Sequence, residues 1–560
     1  MAFQDGHVSI QSNLPAPVLW RRLSAGGIVL GAICFCFALT PSLVPREPLV
    51  QGALGGAVFG VGYGIWFLMG LLANWLEVRL LSGRSARLIA ITALGVTTVA
   101  TAICLWLSTD WQNSIRSAWG LPAVDTWAPF TVLALSAAVF LVLLVFGRMF
   151  WLISTRWSHK SKSFLAPKLA NLLGLLAALA IFSMLINGVL LRASLRLIDS
   201  ASRAADAIIP PDMEIPAGYL KTGSAASLVA WEDLGRWGRN YVTSGPDGAA
   251  IAAFWGAPAP DPIRVYVGLN AAYGPAARAA LAFEELRRVG GFDRKVLVIA
   301  MPTGSGWLDP GAMNSLEFIA RGDVATVAVQ YSYLASPVSV VVDPRHGLAE
   351  AQAMFDLVYA HWTALPRDAR PRLYLHGLSL GAFLSQETVP LLDVLGDPIQ
   401  GAMWAGSPFL SDFWNMVVNR RQPDSPAWKP RFGNGSLIRT GNQGARFDAF
   451  QTDWGDMRLV FLQYGSDPIV FFDWSLAWRR PDWLTGIRAP DVSPKMQWVP
   501  VVTLLQVGMD MAVALGDPGF GHDYIARHYI PAWAAALAPD GWDDQTEARL
   551  IAHLDGLRAR

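Results

Sequence analysis

The stretch Leu373-Tyr374-Leu375-His376-Gly377-Leu378-Ser379-Leu380-Gly381 decides the fold. Residues 372–375 read as a strand and 383–395 as a helix, with G-x-S-x-G compressed between them. A strand that turns sharply into a helix forces its central residue into strained backbone geometry. Flanking glycines remove side chains that would clash there. The serine hydroxyl then stands above the sheet at a helix N-terminus. In a chain with 51 glycines the five-letter pattern is weak by itself; its place after a strand gives it weight.

The same alternation runs outward in both directions. Residues 263–269, 296–301, 324–330, 399–405 and 459–464 read as strands, and 276–288, 314–321 and 347–364 as helices. Strands alternating with helices predict a mostly parallel sheet covered on both faces, with reactive loops beyond the carboxyl ends of the strands.

A serine at its ordinary pKa needs a base, and the base needs an orienting acid, expected downstream in the order acid, then histidine. Asp467 follows a strand in Tyr464-Gly465-Ser466-Asp467-Pro468, either as that acid or as the start of a turn before Pro468. Three histidines follow. His522 sits in the glycine-rich loop Gly519-Phe520-Gly521-His522-Asp523 and is the preferred base, ahead of His528 on the next helix and His553 near the C-terminus. Donors for an oxyanion are expected from Leu380, after the nucleophile, and from Thr303 and Gly304 in Pro302-Thr303-Gly304-Ser305-Gly306-Trp307. A final strand should precede the histidine loop, yet 499–515 has helical spacing. Either a short strand hides there or the sheet edge is remodelled.

The 560 residues exceed one ordinary core, and the apolar excess (53% hydrophobic, 16% charged) is concentrated before residue 195. Five apolar stretches, near 25–45, 52–73, 88–107, 128–150 and 169–191, are long enough to cross about 30 Å of hydrocarbon. Arg21 and Arg22 precede the first, and no cleavage site follows it, so it reads as a retained anchor. Basic loops (Arg79, Arg84, Arg87; then Arg148, Arg156, Lys160, Lys162, Lys168) alternate with poor ones holding only Arg46 or Arg116. The rule that positive loops stay inside then places the C-terminal domain outside an inner membrane. The spans carry almost no ionisable groups, which speaks against transport and for an anchor. Gly52, Gly56, Gly60 and Gly64 form a small-residue ridge for close helix packing, within the bundle or between copies in a homo-oligomer. A net charge of +1 gives no reason to expect nucleic acid. Cys34, Cys36 and Cys104 all lie in apolar runs, so no thiolate metal site is expected, and no cofactor.

The expected organisation is a transmembrane helical domain (1–195), a juxtamembrane helix and connector (196–262), and a catalytic domain (263–560) with a Trp-rich cap insertion at about 407–456. Trp414, Trp428 and Trp454 lie in that insertion, and Trp474, Trp478, Trp483 and Trp498 follow it. These aromatics either line a cleft for a hydrophobic acyl substrate drawn from membrane lipids or serve the core.

The chain resembles a family of bacterial α/β-hydrolase membrane proteins, in which a multi-span N-terminal domain is fused to an α/β-hydrolase domain. The resemblance rests on Pro302-Thr303-Gly304-Ser305-Gly306-Trp307-Leu308-Asp309-Pro310, on Gln330-Tyr331-Ser332-Tyr333, on the Ser379 stretch, and on Gln463-Tyr464-Gly465-Ser466-Asp467-Pro468-Ile469-Val470. It implies the triad Ser379, Asp467 and His522 and supplies no substrate. The expected activity is that of a serine esterase, lipase or acyltransferase. A non-catalytic membrane scaffold or lipid-binding protein is the alternative.

Overall fold

The computed structural model describes residues 23–558 except 79–82, 127, 335–338, 340–342, 390–393, 395, 445–446, 448–449 and 451. Arg21, Arg22, Arg79 and part of the helix expected over 383–395 therefore lie outside the described residues. The chain forms two compact units. One comprises residues up to Leu39 together with Glu47–Thr109 and Asp125–Leu195, and the other comprises Thr40–Arg46, Asp110–Val124 and Arg196–Arg560.

The first unit is helical: α1 (Ala25–Ala38), α2 (Pro48–Trp75), α3 (Gly83–Ala118), α4 (Pro129–Ser161) and α5 (Pro167–Ser183). Proline opens α2, α4 and α5, where its fixed φ suits a first turn and its missing N–H costs nothing. Four helices, Pro48–Trp75, Gly83–Ala118, Pro129–Ser161 and Pro167–Gly188, are long and apolar enough to cross a membrane. The expected first span differs. Ser24 caps α1 by accepting from Gly27 N–H, and the helix ends at Ala38 after 14 residues, about 21 Å. Residues 40–46 leave it and fold into the second unit. The glycine ridge of α2 is filled inside the chain: Gly52 faces Leu135, Gly56 faces Val139 and Gly60 faces Leu143 of α4, while Gly64 meets open space. The Ser136 hydroxyl donates to Gly52 O at 2.9 Å across this seam.

The second unit holds seven parallel strands: β1 (Ile263–Val267), β2 (Val296–Met301), β3 (Val324–Val329), β4 (Arg372–Leu378), β5 (Gly401–Ala405), β6 (Ile438–Gly441) and β7 (Arg458–Leu462). Their order across the sheet is β1-β3-β2-β4-β5-β7-β6. The strands are almost wholly buried, which is why they read as continuous apolar runs. The same unit holds helices α6 (Pro275–Arg288), α7 (Pro310–Ile319), α8 (Leu348–Ala364), α9 (Leu380–Glu387), α10 (Val502–Ala512) and α11 (Ala526–Leu537), of which α6, α8, α9 and α11 pack on the sheet. His376 of β4 points to Tyr529 and Trp533 of α11, whereas the next residue, Gly377, abuts α9. Successive strand residues face opposite ways, so α9 and α11 lie on opposite faces.

No strand lies between Asp467 and His522 among the described residues; that interval carries α10. The edge is remodelled: β6, from the insertion after β5, pairs in parallel with β7. Its Arg439 is buried because the guanidinium donates to Gly435 O, Phe447 O and Thr452 O. Of the insertion's tryptophans, Trp414 packs on Phe461 at 5.2 Å and Trp454 lies against Arg439 and Arg458. Trp474 and Trp478 are exposed.

Candidate active site

Register brings the site together. Met301 pairs with Gly377, Leu378 with Ala405, and Ala405 with Leu462, so β2, β4, β5 and β7 end in one row. The loops that leave this row begin with Pro302, Ser379, Gly406 and Gln463.

Ser379 occupies the elbow with φ 57° and ψ −125°, a conformation a side chain tolerates only where its surroundings enforce it. Its N–H donates to Ala405 O at 3.0 Å, which fixes the turn to the neighbouring strand. A Cβ on Gly377 would collide with the Gly381–Ala382 peptide, and one on Gly381 with the carbonyl of Met301. The two glycines thus let α9 start directly over β4 and against the end of β2. The Ser379 hydroxyl is buried, 2% exposed for the residue, and has no hydrogen-bond partner among the described residues.

Asp467 caps the short helix Pro468–Phe471, its Oδ1 accepting from Ile469 N–H at 2.9 Å. Its other oxygen, Oδ2, accepts from His522 Nδ1 at 2.7 Å and from the Tyr524 hydroxyl at 3.0 Å. The Tyr524 phenol is pushed up by burial and by the Asp467 charge, so it stays a donor. With Nδ1 protonated toward Asp467, the other ring nitrogen of His522, Nε2, is an acceptor; it is buried and has no partner among the described residues. A Cβ on Gly406 would sit 2.7 Å from His522 Cε1, so the imidazole lies over the end of β5, to which Ser379 is also tied. The histidine loop is held by two backbone bonds: His522 N–H to Ala514 O at 2.9 Å and Gly521 N–H to the Ser466 hydroxyl at 3.0 Å.

The residues expected to hold an oxyanion divide. Leu380 is the first residue of α9, where an N–H has no intrahelical acceptor. Thr303 N–H, in contrast, is bound to Trp307 O at 2.9 Å, so the tight turn that orders this loop takes up that donor. Gly304 follows it in the same turn. The loop is braced by the Tyr266 hydroxyl on Gly306 O and by Gln330 Nε2 on Ser305 O.

The other histidines do different work. His528 is buried against Tyr464, whose hydroxyl lies 2.6 Å from its Nδ1, and burial brings it down to about 4. His376 donates to Met403 O at 2.7 Å and is likewise brought down to about 4 by burial. His553 rests on Phe254 and Phe318. Sequence reasoning missed Tyr524, Gly406, and Asp491, whose Oδ2 accepts from Ser466 N–H at 2.8 Å beside Asp467. The Tyr524 signal was present two residues beyond the histidine, but nothing local shows that its hydroxyl turns back to the acid.

A buried serine at a strained elbow, with a histidine oriented by a buried carboxylate beside the same strand end, is an arrangement that nucleophilic acyl transfer can use. No curated protein and no solved structure matches the chain. Two family models do: residues 39–246 match the one described as the alpha/beta-hydrolase family N-terminus, and residues 263–550 match the alpha/beta-hydrolase family itself. The second match covers more than half of the 560 residues and runs from β1 past the His522 loop, and on it the chain belongs to the alpha/beta-hydrolase family.

Proposed function

We propose that the protein is a membrane-anchored serine hydrolase that cleaves an ester or acyl bond of a lipid-like substrate through an acyl-enzyme on Ser379. The observation that carries this reading is the 2.7 Å His522–Asp467 hydrogen bond, together with the unpartnered Nε2 of His522 and hydroxyl of Ser379 beside β5. Ser379 Oγ attacks the substrate carbonyl carbon as its proton passes to His522 Nε2. The resulting oxyanion is met by the Leu380 N–H and a donor from the 302–307 loop. Collapse expels the alcohol, which takes the proton from His522. Water or a second alcohol, deprotonated by the same histidine, then releases the acyl group. Asp467 keeps Nδ1 protonated and stabilises the imidazolium, with Tyr524 holding the carboxylate in place.

A lipid-like substrate is favoured by the four apolar helices in the same chain and by the closure of the site to bulk water. Parity supports one side of the membrane. Residues 40–46 and 110–124 fold with the hydrolase residues, and α2 to α5, each long and apolar enough to cross, would make four crossings from 40–46 to residue 196. The basic stretches at 84–87 and 148–168 fall on the other side, which supports an extracytoplasmic hydrolase.

The test is a fluorophosphonate probe applied to the purified protein in detergent. Labelling that disappears in Ser379→Ala is expected; labelling that persists in Ser379→Ala, or no labelling of the wild type, would sink the proposal.

A further inference from the structure

Two short segments that lie between apolar helices in the sequence belong to the hydrolase unit. Residues 40–46 separate α1 from α2, and residues 110–124 run from the end of α3 toward α4. Both reach the loop that carries His522.

The first acts through α10. Arg46 Nε lies 2.7 Å from Asp510 Oδ1, and both side chains are wholly buried. The Ser42 hydroxyl and the Leu43 N–H donate to Asp510 Oδ2. Gln506 Nε2 donates to Thr40 O at 3.0 Å. Two residues beyond the helix, Ala514 O accepts the His522 N–H. The second segment acts directly. The Trp119 ring stacks on Phe520, with centroids 5.0 Å apart and planes 10° apart, and its Cη2 would lie 3.6 Å from a Cβ on Gly521. Its indole N–H donates to Asp491 O at 2.9 Å. Through its carboxylate, Asp491 holds Ser466 N–H, and the Ser466 hydroxyl receives Gly521 N–H. One side chain therefore touches the histidine loop one residue from His522 and also fixes the residue that braces the turn carrying Asp467.

We infer that Trp119 is a positioning residue for the His522–Asp467 pair, so that the segment between two apolar helices is a working part of the hydrolase and not only a tether. This rests on the proposed serine chemistry and sharpens it. Gly519 and Gly521, which flank Phe520 ahead of His522, carry no side chains of their own to hold the loop. The flat indole supplies a rigid surface against which that loop takes one conformation. Misplacing a base by about 1 Å costs on the order of 100-fold in rate.

The test uses the full-length protein in detergent and reads two quantities from fluorophosphonate labelling: the rate per site and the final labelled fraction. Trp119→Ala is expected to slow labelling by about 10- to 100-fold at an unchanged labelled fraction. Trp119→Phe, which keeps the stack and loses only the N–H, is expected to recover most of that rate. With a chromogenic ester, kcat falls while KM holds. A Trp119→Ala rate equal to wild type overturns the inference and leaves the serine reading standing. A reduced labelled fraction with an unchanged rate per site also overturns it, since that is what a purely structural residue would give. A wild type that does not label at Ser379 removes both.

Discussion

Replacing Arg46 with methionine takes the cation out of a pair that water does not reach. Asp510 is left wholly buried with Oδ1 unpaired, while Oδ2 keeps the Ser42 hydroxyl and the Leu43 N–H at 3.1 Å. Removing one partner of a buried ion pair costs about 3–5 kcal/mol. Two surviving donors put Asp510 at the lower end, about 3 kcal/mol, which is roughly 100-fold in the folding equilibrium. Guanidinium unfolding in detergent, followed by tryptophan emission, reads that loss as a lower midpoint at unchanged slope. The double variant Arg46→Met/Asp510→Leu, which buries no charge, should recover to within about 1 kcal/mol of wild type. A single variant that loses under about 1 kcal/mol, or a double variant no more stable than the single, would refute the assignment of this pair as the clasp between residues 40–46 and α10.

Gly381→Ala should destabilise the second unit and abolish labelling together, because its methyl has nowhere to go except into Met301 O; an active, stable variant would contradict the close approach of α9 to β2. Tyr524→Phe removes one hydrogen bond to a buried carboxylate and should lower kcat about tenfold with little change in KM, measured on a chromogenic ester. Stability should fall on acidification. His376 and His528 are held near 4 in the fold against 6.5 for an exposed histidine, so each contributes stability that is full above 6.5 and lost as pH falls toward 4. Each accounts for roughly 3 kcal/mol over that window. Asp309, pushed up to about 6 by burial, works in the opposite sense: its contribution is full below 3.8 and lost as pH rises through 6. Thermal scans from pH 7 to pH 4 should therefore show a net loss that His376→Gln reduces, and a flat profile would count against two neutral buried histidines.

Most of the sheet could be read in the sequence because strands buried on both faces are plain apolar runs, as in Val-Leu-Val-Ile-Ala-Met at 296–301. β6 escaped because it is four residues long and carries Arg439, whose charge is met by carbonyls from residues 435, 447 and 452 and by the Trp454 ring. The glycine ridge was legible as a seam, but which helix fills it was not; α4 is 84 residues away at the Ser136–Gly52 contact. The elbow at Ser379 was visible because it is local, with its glycines beside it. Asp467 and His522, the proposed acid and base, were picked out by order along the chain. Their supports were not, since Tyr524, Asp491 and Trp119 act through contacts that only the folded chain creates. Thr303 looked available as a donor until the turn to Trp307 claimed its N–H. The span expected over 25–45 failed because hydropathy cannot distinguish a helix that continues from an apolar segment, 40–46, that leaves to fold elsewhere.

That departure bears on what a proteolytic cut could release. The stretch from Asp212 to Ala230 is irregular backbone and a natural point of proteolytic attack. A cut there would sever the chain without freeing the hydrolase. Arg46 would remain clasped to Asp510, 464 positions away, and Trp119 to Asp491, 372 positions away, each contact buried. The nicked protein should stay in the membrane fraction and keep its activity, and a soluble form would require unfolding around the histidine loop before it could leave.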